Sequence, residues 1–223
     1  MVEDNSSVPF LSSLGLSLTA RCPIVCPHCI VEAGPHRKEE MSIEHVRDWL
    51  GQAAAYRHGH IQSVVITGGE PFYNLPLLRA VLEFAAAVRL VSIVITNAFW
   101  ATSPSVAVDT LRGLPEVRML TVSTDVYHQH FIPIQYAKNA LCAARDLGLG
   151  YNAAVCFERE TDPAYQFTRL ELAKVIDEHL IRPAAISPAG RALLKFKPNR
   201  FDNTTECPDF ACAGADYPPV HQN

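Results

Sequence analysis

The run Leu14-Gly-Leu-Ser-Leu-Thr19, followed at once by Cys22-Pro-Ile-Val-Cys26-Pro-His-Cys29, decides how this chain is read. Its first half is a short apolar run, too short for a helix and of the right length for a buried strand. Its second half places three thiols within eight residues, on the loop that leaves that strand. Pro23 and Pro27 stiffen the loop and lower the entropy cost of bringing the thiols together. Three thiolates on one short loop can converge on a single metal centre.

Further short apolar runs follow at Ser63–Thr67, Ser92–Thr96, Met119–Thr124, Tyr151–Phe157 and Ala184–Ser187. Several are near-continuous in apolar residues, as strands covered on both faces are. Amphipathic segments separate them. Ser42 caps a helix with Ile43, Val46, Leu50 and Ala53 on its inner face, and Asn74 precedes one with Leu78, Val81, Leu82, Ala85 and Val88. Ser103-Pro104 is a cap and first-position pair, and Pro133 opens a helix burying Tyr136, Ala140, Leu141, Ala144 and Leu147 and ending near Gly148. Thr168 and Glu171 form a capping box ahead of Leu172, Val175 and Ile176. Crossovers of roughly 30 residues or more suit six repeated βα units. Six such units build either an open three-quarter barrel or a doubly wound sheet, and both gather ligands at the C-terminal strand edge.

The chain has 223 residues, 48% of them hydrophobic and 19% charged, which is a globular composition. A net charge of −4 supplies no broad basic field, so no nucleic-acid partner is expected. The opening MVEDNSSVPF lacks a basic stretch before an apolar run, and the longest strongly apolar stretch, Leu90 to Ala101, is shorter than the roughly 20 residues of a membrane span. A cytoplasmic protein without membrane contact is expected. In a reducing compartment seven cysteines, three of them crowded together, point to a metal or redox site and away from a disulfide framework.

Ligand number separates the candidate centres. Structural zinc is closed by four ligands, typically two spaced pairs. The C-x3-C-x2-C array offers three, so a cubane iron–sulfur cluster held here keeps one iron without a protein ligand. Zinc stays open as an alternative, with His28 or a distant cysteine as the fourth ligand.

This array after a first strand resembles the radical S-adenosylmethionine (SAM) superfamily. The resemblance implies a partial (β/α)6 TIM-like barrel, in class α/β, spanning residues 1–194. It implies a 4Fe–4S cluster on Cys22, Cys26 and Cys29, with SAM chelating the remaining iron. It implies reductive cleavage of SAM to a 5′-deoxyadenosyl radical that abstracts hydrogen from a substrate, and an external one-electron donor of flavodoxin or ferredoxin type. His28 stands where relatives usually carry an aromatic residue near adenine. Thr67-Gly68-Gly69-Glu70-Pro71 resembles the superfamily's GGEP motif, in which glycine lets backbone carbonyls approach the SAM ammonium and Glu70 offers a charged acceptor. Asn97 in Thr96-Asn97-Ala98, together with Ser123 and Asp125, resembles positions that reach the SAM ribose or carboxylate; the plain alternative is that they cap the following helices.

Asp125-Val-Tyr-His128-Gln-His130 is richer than a turn requires. His128 suits a substrate mouth, and His130 reads as a surface residue. Arg191 in Gly190-Arg191-Ala192 suits either a carboxylate partner or an ordinary surface position. Cys142 and Cys156 read as core. Residues 195–223 read as a tail, in which Cys207 and Cys212 resemble part of a SPASM or twitch extension with too few cysteines for a full auxiliary cluster. The expected substrate is a peptide or a small natural-product intermediate. The rivals are a zinc-stabilised interaction protein and an iron–sulfur partner subunit that no longer cleaves SAM.

Overall fold

Among the described residues every strand is parallel to its neighbours, and each pairs with the next in sequence. The structure, a computed structural model, describes residues 12–56 and 60–196. Its elements run β1 Ser13–Thr19, α1 Ile43–Ala55, β2 Ser63–Gly68, α2 Leu75–Ala87, β3 Val91–Thr96, α3 Pro104–Arg112 and β4 Val117–Ser123. A single turn α4 Val126–Gln129 follows, then α5 Ile134–Asp146, β5 Gly150–Phe157, α6 Pro163–Leu172, β6 Ile181–Ala185 and α7 Arg191–Lys195.

The order β1-β2-β3-β4-β5-β6 distinguishes the two architectures left open by the spacing. A doubly wound sheet reverses its strand order at a switch point. This sheet never reverses, and β1 is not paired with β6, so it is a partial barrel with one open seam. Among the described residues no helix is long and apolar enough to cross a membrane.

The core follows the periodicities of the sequence. Leu16, Leu18, Val64, Ile66, Val94, Leu120, Val122, Ala153 and Val155 of the strands are almost fully buried. Val46 and Leu50 of α1, and Leu78, Val81, Leu82 and Ala85 of α2, close over them at helical spacing. The caps at Ser42, Asn74 and Ser103 form, each side chain accepting from a backbone N–H of the first turn. Tyr136 turns away from the main core and packs against the cysteine loop with Phe99 and Ile132.

Two expectations are corrected. The sixth strand starts at Ile181, three residues before the expected Ala184, and ends at Ala185. It is an edge strand carrying Pro183, where a missing N–H costs no ladder bond. Thr168 does not cap a helix. Pro163 begins α6 five residues earlier, and the Thr168 hydroxyl donates to the Ala164 carbonyl inside the helix. Beyond β6 the chain forms α7 Arg191–Lys195, with Ala192 and Phe196 buried against Ile186. Cys207 and Cys212, and the expected tail from residue 197 onward, lie outside the described residues.

Candidate active site

The C-terminal strand edge brings together what the sequence scatters. A cavity of about 280 Å³ is lined by Cys22, Cys26 and Cys29, by Gly68 and Gly69, by Asn97 and Ser123, and by His28, His128 and Cys156. Thus the loops after β1, β2, β3 and β4 and the C-terminal end of β5 each contribute to one site.

The cysteine loop is held from behind by the glycines of β2. Gly69 N–H donates to the Thr19 carbonyl at 2.5 Å and Glu70 N–H to the Arg21 carbonyl at 2.8 Å. A Cβ on Gly69 would lie 2.1 Å from the Arg21 carbonyl oxygen, closer than any side chain is tolerated. Gly68 has φ +121° with the Thr19 carbonyl 2.5 Å from its notional Cβ. The three thiols therefore stand on a loop whose path is set by main-chain contact with this turn. N–H donors already point at the sulfurs: Asn97 Nδ2 to Cys22 Sγ at 3.5 Å, and Ala33 N to Cys29 Sγ at 3.3 Å.

Burial pushes the Cys22 thiol up to about 12, with Glu70 and the other two cysteines adding to the effect. A lone thiol so placed stays protonated at neutral pH. A metal bound there deprotonates it, so three soft donors with N–H support fit a cluster well.

Glu70 is the acid of the same turn. It is fully buried, and both carboxylate oxygens are engaged inside the protein. Oε1 accepts from Thr96 Oγ1 at 2.8 Å and Phe72 N at 3.1 Å, and Oε2 accepts from Asn97 N at 2.7 Å. Burial raises its carboxyl to about 7, against the lowering influence of those three donors. Asn97 caps no helix. Its Oδ1 accepts from Phe99 N while its amide reaches Cys22, so the Glu70 bond positions a cysteine contact.

On the opposite wall Asp125 caps α4, accepting from Tyr127 N and His128 N, and also meets His128 Nδ1 at 2.8 Å. Burial pushes the Asp125 carboxyl up, but His128 outweighs it and holds Asp125 below its ordinary range. Burial likewise disfavours charge on His128, and Asp125 reverses this and raises it well above 6.5. The two form a buried ion pair. His28 is different: burial lowers it to about 4, so it stands neutral, 3.6 Å from Asp125 and with its ring centroid 4.9 Å from that of Tyr127. Its Nδ1 is buried with no hydrogen-bond partner among the described residues, an opening for a bound molecule to fill. His130 is exposed.

Cys156 is not ordinary core. It lines the cysteine cavity and also a neighbouring one of about 550 Å³, whose walls include Tyr127, Phe157, Glu158, Asp162, Ala164 and Tyr165. Burial, then the nearby Asp125 charge, pushes its thiol up to about 12. Arg191 is not a free surface residue either. It donates to the carbonyls of Cys26 at 2.6 Å and Ala33 at 2.7 Å. The sequence signal for Cys156 was its place at the C-terminal end of a strand, where ligand-facing residues collect.

A family profile for the radical SAM superfamily matches residues 16–162. The chain belongs to the radical SAM superfamily. Members of this superfamily are enzymes whose cofactors are a 4Fe–4S cluster and SAM, and the radical SAM match covers the cysteine loop, the Gly68-Gly69-Glu70 turn and the Asp125 segment together. The chain is also similar to YydG of Bacillus subtilis (strain 168), whose name assigns it to peptide biosynthesis, with 27% identity over 148 residues, covering 64% of this chain and 46% of YydG. Among solved structures it resembles anSMEcpe with bound AdoMet (TM-score 0.58, 14% identity, 78% of this chain and 51% of that one). It also resembles methylornithine synthase PylB (TM-score 0.62, 11% identity, 83% and 56%). The structural likenesses establish the partial-barrel fold. The chain spans about half the length of these relatives.

Proposed function

We propose that this radical SAM domain cleaves SAM reductively and abstracts hydrogen from a peptide. The observation that carries the reading is the junction of two cavities at Cys156. One is lined by the three cysteines and the other is large enough for a substrate side chain. Similarity to YydG supports a peptide in the larger one.

In this reading Cys22, Cys26 and Cys29 hold the 4Fe–4S cluster. Bound there, the cluster would supply SAM with one electron, received from an external donor, for the reductive cleavage that precedes hydrogen abstraction. The chain's own residues orient and shield. Gly68 and Gly69 line the cavity with main chain that the amino acid part of SAM can approach, and Asn97 and Ser123 offer polar contacts beside it. His28, neutral and with an unsatisfied Nδ1, lines the same cavity and offers a contact to adenine. Asp125 sets the position of His128 through their ion pair rather than reaching SAM itself. Ile24 of the loop and Ile132 are buried, and the partly buried Phe99 and Tyr136 pack against them, so that water is excluded from the cysteine loop.

The test is anaerobic turnover with a deuterated peptide. The peptide is drawn from a gene adjoining that of this protein and carries deuterium at its Cα positions. The expected result is deuterium in the released 5′-deoxyadenosine. Unlabelled 5′-deoxyadenosine, formed at a rate the peptide does not alter, would overturn the peptide assignment.

A further inference from the structure

The barrel's open seam is bridged where the cysteines sit. β1 and β6 are the two edge strands and do not pair. Yet the turn after β6 lies directly on the loop after β1. Gly190 has φ +57°, and a Cβ there would lie 2.3 Å from the Ile30 carbonyl oxygen and 2.7 Å from that of Cys29. Arg191 N–H donates to the Cys29 carbonyl at 3.0 Å. The Arg191 guanidinium spreads over two further carbonyls, Cys26 at 2.6 Å and Ala33 at 2.7 Å.

We infer that Gly190 and Arg191 form a latch that fixes the cysteine loop from the far side of the seam and places a permanent positive charge behind the cluster. The β2 glycines hold the first half of the loop, through Thr19 and Arg21. The latch holds the second half, through Cys26, Cys29, Ile30 and Ala33. Between these two clamps the loop has little freedom left, which is what three convergent ligands require. Arginine suits the position because its planar fork donates to two carbonyls at once and never loses its charge. Lysine presents a single point charge and can satisfy the two with less definition. Arg191 is thus a positioning residue. Its charge favours the more negative, reduced state of whatever centre the cysteines hold, and so raises the reduction potential.

The inference rests on Cys22, Cys26 and Cys29 being the cluster ligands, and its test separates the two. In the metal-free protein, alkylation of each cysteine by iodoacetamide is followed by mass spectrometry, with Cys142 on α5 as internal control. Arg191→Met is expected to speed labelling of Cys26 and Cys29 about tenfold, the order expected from losing charge-assisted hydrogen bonds, with Cys142 unchanged. After reconstitution, Arg191→Met is expected to shift the cluster potential to more negative values, whereas Arg191→Lys, which keeps the charge, loosens the loop without that shift. Should Arg191→Met fail to fold, Arg191→Lys carries the labelling test. Wild-type labelling rates in these variants, or equal potentials for wild type and Arg191→Met, would overturn the latch. Labelling needs no cluster, so a wild-type protein that binds no iron would overturn the functional reading and leave the mechanical half of the latch tested.

Discussion

The carboxylate of Glu70 accepts the backbone N–H of Asn97 at 2.7 Å, tying the end of β2 to the end of β3. The same carboxylate takes the Thr96 hydroxyl, which in turn accepts from Trp100 Nε1 and Ala98 N. One buried acid therefore shapes the turn that aims Asn97 at Cys22. Glu70→Ala leaves these donors unsatisfied and is expected to cost several kcal/mol of stability in the apo-protein, read by urea unfolding. It is also expected to lower iron uptake. Wild-type stability would refute the brace.

The same residue predicts a pH dependence. Its carboxyl rises from 4.5 to about 7 on folding. Between those values the folded chain retains a proton that the unfolded chain has released. Stability attributable to this group is therefore greatest below pH 4.5 and falls as pH rises through 7, by an amount on the order of 3 kcal/mol. Glu70→Gln removes that slope. Parallel stability–pH curves for wild type and Glu70→Gln between pH 5 and 7 would contradict it.

Gly69→Ala tests the main-chain contact behind the cysteine loop. The added Cβ meets the Arg21 carbonyl, which is backbone and must move. Overpacking of this kind costs about 1–3 kcal/mol, and here the displaced backbone is the one that carries the cysteines. Reduced iron incorporation with a lowered melting temperature is expected. Full incorporation would show that the contact is dispensable.

The Asp125–His128 pair is expected to be strongly coupled. Asp125→Ala removes the charge that keeps His128 protonated and leaves the Tyr127 and His128 N–H groups without their acceptor, so it should cost about 1–3 kcal/mol, whereas His128→Phe added to it should cost less than it does in the wild type. The four proteins of this cycle need only be unfolded in denaturant. Additive effects would mean that the pair is not coupled.

Much of this was legible in the residues themselves. Six short apolar runs and their spacing give the barrel units, because parallel strands covered on both faces carry an apolar signal independent of tertiary detail. Ser42, Asn74 and Ser103 cap as read, because an N-cap is satisfied within one turn. β6 was misplaced because an exposed edge strand such as Ile181–Ala185 is only weakly apolar. The cysteine loop and glycine turn are local motifs and stand out in the sequence. The inward turn of Glu70, the double exposure of Cys156 and the reach of Arg191 to Cys26 are set by contacts between segments far apart in sequence, which no local pattern encodes.

Ala164→Trp probes the larger cavity without touching the smaller one, since Ala164 lines only the former. The variant is expected to retain wild-type iron content while raising the KM for the peptide substrate by at least about tenfold. An unchanged KM would remove that cavity from the substrate's path.

The central claim is tested most directly by 5′-deoxyadenosine formation. Wild-type protein and Cys26→Ala are purified without oxygen, reconstituted with iron and sulfide, and given SAM and dithionite. The account predicts 5′-deoxyadenosine from the wild type and none above background from Cys26→Ala. Equal product from both, or a wild type that binds zinc alone and releases no 5′-deoxyadenosine, would contradict it.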